Sequence, residues 1–191
     1  MGGKVKQNKI RLIFKIILPI LCLLWLAFIL SNSLQTGEQS AQTSATVVDT
    51  VQQVAKVIAP ESPIANATGT AYNNLHTLIR NCAHVAQFAV LGALFCFCYL
   101  AYTFKMRYFH FPIIGVVLIP IIDECLQGFV SGRGGELNDL LLDTYGGIAG
   151  LVFAGLIVAI GALIYEVKKK EKTNENGLKP PKGHPMYRNK E

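Results

Sequence analysis

Apolar side chains fall in four long blocks separated by polar segments of unequal length. The blocks cover about residues 12–30, 83–104, 111–130 and 139–165. Each approaches or exceeds the roughly 20 apolar residues that cross a bilayer as a helix. The pattern therefore predicts four transmembrane helices. In the polar segment at about 31–80, Val47, Val51, Val54 and Ile58 recur at spacings of 4, 3 and 4. That is the period of an amphipathic helix, and Pro60, Pro63 and Gly69 end it. The expected fold class is an all-α membrane protein, a four-transmembrane-helix bundle with a helical outer loop between helices 1 and 2. Three regions follow: a basic N-terminus at 1–11, a membrane domain at 12–165, and a basic tail at 166–191. The tail is polar and rich in Lys, Asn and Pro, so it is expected to be disordered.

The charges add a direction to this picture. Of the 18 Lys and Arg residues, all but Lys56, Arg80 and Arg133 lie in three blocks: the N-terminus up to Lys15, the link with Lys105 and Arg107, and the tail. Basic residues stay on the cytoplasmic side of spanning helices. Both termini are then expected in the cytoplasm of a multi-pass protein in the plasma membrane. The first block has a basic leader but no small-x-small cleavage site, which reads as an uncleaved signal anchor. A net charge of +6 that sits in topogenic blocks is no nucleic-acid footprint. Apolar residues make up 51% of the chain and charged ones only 16%, against about 25% charged in a soluble domain. That excludes disorder for most of the chain. The five cysteines, Cys22, Cys82, Cys96, Cys98 and Cys125, lie in or beside the apolar blocks without framework spacing. They read as small apolar side chains.

Chemistry enters where polar residues interrupt the apolar blocks. Asp123 and Glu124 lie well inside the third block. An acid at mid-bilayer costs about 2.5–3.5 kcal/mol, so both should face the bundle interior or a water-filled cavity. At 3.6 residues per turn, Asp123, Glu124 and Gln127 share a sector of about 100°. Asp139, Asp143 and Gly146 share one face of the fourth helix, and Asn81, His84 and Phe88 one face of the second. With the expected topology, all three sets reach one level near the outer leaflet. Asp123 lies about 10–12 Å below the outer end of its helix at 1.5 Å per residue. The connection Gly132, Arg133, Gly134, Gly135 lies at that mouth. Arg133 is placed there to pair with an acid or to hold a carboxylate or phosphate bidentately. Buried polar residues can also serve only to tie helices, at under about 1 kcal/mol per bond. Four acids, an Arg and a His in one layer exceed that need. Gly146-x-x-x-Gly150 reads as a close-packing step.

Several chemistries fit poorly. The acids and His84 are suitable metal ligands by type, but there is one His and no paired spacing, so no metal or other cofactor is expected. No Gly-x-Ser-x-Gly accompanies Ser131. General acid/base work on a phosphoryl group is compatible with the residues, without a phosphatase signature.

These residues resemble the VanZ-like family of small bacterial membrane proteins, named for a teicoplanin-resistance protein. Asp123-Glu124-x-x-Gln127, then Arg133, Asp139, Asp143 and the Gly-rich start of the fourth helix, are similar to its longest motif. Ser31–Ser44 resembles the Ser/Gln-rich stretch after the first helix, and Ile79–Gly92 the segment around a His in the second. The resemblance spans about residues 12–165. Where the family usually has Lys, Glu and Tyr around that His, this chain has Asn81, Gln87 and Phe88. The resemblance implies a bacterial cell-envelope protein linked to reduced teicoplanin susceptibility, with no residue roles to transfer.

The leading expectation is a binding module. Its outward-facing pocket would take a membrane lipid, a lipid-linked wall precursor or a glycopeptide antibiotic bearing a lipid. Arg133 would meet an anionic group. Asp123, Glu124, Asp139 and Asp143 would orient Arg133 or accept from the ligand, and His84 and Gln127 would complete the shell. Nucleic acid is not an expected partner, and an oligomer is compatible with the sequence. The rival is a membrane-embedded enzyme acting on a polyprenyl-phosphate type of substrate.

Overall fold

A computed structural model describes residues 2–103 and 105–178. Its elements are α1 (Gly2–Ser33), α2 (Gly37–Ile58), α3 (Gly69–Tyr102), a short 3-10 turn (Met106–Tyr108), α4 (His110–Gly128) and α5 (Leu137–Leu178). The described residues contain no strand. Four segments are long and apolar enough to cross a membrane: Lys9–Ser33, Gly69–Tyr102, His110–Gly128 and Leu137–Glu171. They correspond one for one to the four apolar blocks, and the chain is a multi-pass membrane protein by this criterion.

Helices α1, α3 and α5 run further than their apolar blocks, α1 from Gly2. Helix α3 begins at Gly69 and has 34 residues, about 51 Å at 1.5 Å per residue. That exceeds a hydrocarbon core of about 30 Å. Its polar first turns lie against α2: Tyr72 donates to Asp49 at 3.1 Å, and the His76 ring nitrogen lies 3.3 Å from the Ala41 carbonyl. Helix α5 continues through 166–178, where a disordered tail was expected. The run Glu-Val-Lys-Lys-Lys-Glu-Lys favours helix, and Glu166 and Lys169 approach to 3.9 Å one turn apart. The rest of the tail lies outside the described residues.

Helix α2 starts with a capping box: the Thr36 hydroxyl accepts from Gln39 N and the Gln39 side chain accepts from Thr36 N. Its helicity is as expected, but its buried face is turned. Val48 is buried and Ser44, Val51 and Ala55 are half-buried, whereas Val47, Val54 and Ile58 are exposed. The partners explain the turn. Gln52 donates to the carbonyls of Ile64 and Ala67, and this tie brings the neighbouring Val48 and Val51 inward. A 4-3-4 spacing sets helicity and leaves open which side meets a polar partner.

Glycines bring α3, α4 and α5 together. A Cβ at Gly150 would strike the Ala89 carbonyl, one at Gly146 the Val85 carbonyl, and one at Gly92 the Gly147 carbonyl. Gly147 faces the Val116 side chain. The small-x-x-x-small step thus works as close backbone contact. Around it, Cys96, Val116, Leu151 and Ala154 form one apolar cluster, and Ile29, Phe88 and Leu91 form another with Trp25 and Ile119 beside it. The cysteines are free, and Cys22 on α1 touches Cys98 on α3 with sulfurs 3.4 Å apart.

Candidate functional site

The connection between α4 and α5 is held by backbone geometry. Gly132 has φ +73°, a conformation that favours glycine. Gly37 N donates to the Ser131 carbonyl at 3.2 Å, and a Cβ on Gly37 would run into the Gly132 carbonyl. The loop therefore docks on the first turn of α2 and brings Arg133 over the ends of the helices. Arg133 donates through Nη1 to the carbonyls of Asn32 and Ser33, at 3.0 and 3.4 Å, and through Nη2 to Ser40 Oγ at 3.2 Å. It thereby covers the C-terminal end of α1, where the last carbonyls have no partner within the helix and the Asn32 carbonyl also accepts from Gln35 N at 3.2 Å. Burial lowers the Arg133 pKa from its ordinary value, and the nearby Arg80 pushes the same way.

Beneath this loop the acids lie in one buried layer. Asp123 is 2% exposed and Asp143 0%, with Glu124, Gln127 and Asp139 also buried. Asp123 accepts from Ser33 Oγ on α1 and, at 2.7 Å, from Gln127 Nε2 one turn along α4. Glu124 accepts from the backbone N–H of Glu136, which fixes the far end of the loop. Asp143 holds His84 Nδ1 at 3.0 Å. Asp139 pairs with Arg80 on α3, and His84 Nε2 is 3.9 Å from the same carboxylate.

All seven residues singled out from the sequence belong to this layer or its cover, but they divide by role. His84, Asp123, Gln127 and Arg133 line a cavity of about 260 Å³. Glu124, Asp139 and Asp143 do not line it; they stand behind its wall, between helices. Of the two roles expected of the acids, orienting Arg133 or accepting from a ligand, the first is not made by any direct hydrogen bond or ion pair to Arg133. Its hydrogen-bond acceptors are two carbonyls and a hydroxyl, and Arg80 is the guanidinium that pairs with an acid. The reason is level: Arg133 enters from the loop and meets the end of α1 first, whereas Arg80 lies one turn from His84 on the face opposite Asp139.

Arg80, Ser33 and Ser40 are site residues that the sequence reading missed. Arg80 carried a usable signal, being one of three basic residues outside the topogenic blocks and four positions before His84. Ser33 closes α1 and Ser40 lies in the first turn of α2, and neither has a periodic signature. Among the unusual neighbours of His84, Asn81 is half-buried and Phe88 packs in the core. The Gln87 side chain lines the cavity, while its carbonyl accepts from Trp25 Nε1 at 2.8 Å. Three buried polar atoms of this layer have no hydrogen-bond partner: Arg80 Nε, Glu124 Oε2 and Asp143 Oδ2. The described residues hold no group of three or more His, Cys, Asp or Glu arranged for a metal ion.

The model of the VanZ/LLP1 family matches residues 18–159. The chain belongs to the VanZ/LLP1 family. No curated protein and no solved structure matches it. The VanZ/LLP1 match begins in α1 and ends in α5, so it takes in every residue of the buried acid layer and of the cavity. This is a membrane protein of the VanZ type, and the resemblance read from Asp123 to Gly147 holds for most of the chain.

Proposed function

We propose that this VanZ/LLP1 protein is a binding module of the bacterial plasma membrane, with the cavity on the outer side and both termini in the cytoplasm. Its ligand is an envelope lipid, a lipid-linked wall precursor or a lipid-bearing glycopeptide, and its presence lowers teicoplanin susceptibility. The observation that carries the reading is the cavity of about 260 Å³ with Arg80, Arg133, His84 and Asp123 on its wall. Charged groups in a membrane helix bundle are costly and commonly mark a ligand or ion path. The basic blocks at the N-terminus, at Lys105 and Arg107, and after α5's apolar part support the orientation.

The test compares wild type with an Asp123→Ala, Arg133→Ala double variant in a Gram-positive host at matched membrane levels. The wild type is expected to raise the teicoplanin inhibitory concentration and the double variant to leave it at the host's value. Equal concentrations with and without wild-type protein would remove the antibiotic part of the proposal.

One observation favours a second reading. His84 has Nδ1 on Asp143 and also lines the cavity, an arrangement in which a carboxylate orients an imidazole for acid/base work. The protein would then act on a polyprenyl-phosphate type of substrate. Turnover of such a substrate by purified protein, lost in His84→Gln, is the expected result on this reading; an inert wild type would sink it.

A further inference from the structure

The cavity is cationic at one end and apolar at the other. A second chamber of about 140 Å³ adjoins it, and Ser40, Ser44, Arg80 and Arg133 line both. Both guanidiniums therefore stand at the junction. Arg133 bonds only neutral acceptors, and no carboxylate among the described residues forms an ion pair with it. Arg80 gives one amino group to Asp139 and keeps a buried Nε with no partner. Asp123 is the one acid on the wall of the larger chamber, and both its oxygens are engaged by Ser33 and Gln127. Glu136 is the one acid on the smaller chamber, facing His76, Arg80 and Arg133. The balance at the junction favours an anion with several acceptor oxygens, which guanidinium forks hold best.

The other end bears on where that anion comes from. The Trp25–Gln87 bond ties α1 to α3 and sets a floor. One turn from it toward Arg80, Phe28 on α1 and Ala83 on α3 both line the cavity and are exposed. Both lie in segments apolar enough to cross a membrane, so this side of the cavity opens toward lipid chains.

We infer that the cavity takes the phosphate headgroup of a membrane lipid, with the phosphate between Arg80 and Arg133 and the hydrocarbon leaving past Phe28 and Ala83. This rests on the pocket reading above and names the ligand class for it. The enclosing wall is built from α1, the start of α2, α3, α4 and the loop carrying Arg133, so the head is recognised by several elements and the tail by two.

The test uses the purified full chain in a non-ionic maltoside detergent, with binding read by native mass spectrometry and by thermal shift. Three probes are compared: a polyprenyl phosphate, the polyprenol of the same length, and inorganic phosphate. Polyprenyl phosphate is expected to bind at least about tenfold more tightly than polyprenol, a margin ordinary for charge-assisted hydrogen bonds. Arg133→Gln should abolish that margin and Arg133→Lys should keep part of it. Phe28→Trp, at a lipid-exposed position, should weaken both lipids alike and so reads the tail path without touching the guanidiniums. Equal binding of polyprenol and polyprenyl phosphate would overturn the anionic headgroup and leave the pocket reading standing. Displacement of the lipid by equimolar inorganic phosphate would overturn a lipid source. Absence of binding by either lipid would overturn the inference, and the susceptibility comparison then judges the pocket reading by itself.

Discussion

Arg80→Ala is expected to destabilise the protein by about 3 kcal/mol, the low end of what removing one partner of a buried pair costs. The cost falls on Asp139. Its side chain is 5% exposed, against 34% for Arg80, so the carboxylate is stranded while the guanidinium is the wetter partner. After the change, His84 Nε2 at 3.9 Å is the remaining positive candidate near that carboxylate, and it is already committed through Nδ1 to Asp143. The asymmetry gives the result a signature. Asp139→Asn should cost distinctly less, because Arg80 can turn toward water. The double variant Arg80→Ala, Asp139→Asn should recover part of the loss of Arg80→Ala. Unfolding by SDS titration, followed by circular dichroism, measures all three. Equal losses for the two single variants would show that the pair is not what holds Asp139.

The second large effect belongs to the glycine contact. Gly150→Leu places a side chain where the Ala89 carbonyl already lies, and that obstacle is backbone. Overpacking a close interface costs about 1–3 kcal/mol when neighbours can shift. Here α3 and α5 must separate, so the upper end is expected. Separation also moves Asp139 and Asp143 on α5 away from Arg80 and His84 on α3. Gly150→Leu should therefore lose stability and, on the proposed function, lipid-phosphate binding as well, with Gly150→Ala intermediate. Gly161→Leu is the control on the same helix, since a Cβ there meets nothing within 4 Å. The same SDS titration reads it, and a Gly161 variant as damaging as Gly150→Leu would mean that helix propensity, not the contact, sets the loss.

Much of this architecture is legible along the chain, for reasons that are local. A span needs a certain length of apolar residues whatever its neighbours do, so each of the four blocks announces a helix. Asp123 and Glu124 cannot face lipid cheaply, so their inward orientation follows from their position in an apolar run. Gly146 and Gly150 announce a close contact because only small residues at that spacing allow one.

What depends on the angle and level at which helices meet was decided only by the tertiary structure. Asp139 and Arg133 are six residues apart, yet Asp139 pairs with Arg80, 59 residues away, because α3 and α5 meet face to face through glycine. Arg133 covers the end of α1 instead of an acid because Gly37 and Gly132 dock its loop there. The stripe on α2 is turned toward Val48 by Gln52, whose partners lie in the following turn. Composition and period specify what each segment must bury; which partner it buries that face against is set by rotation and register between helices, and no single segment encodes those.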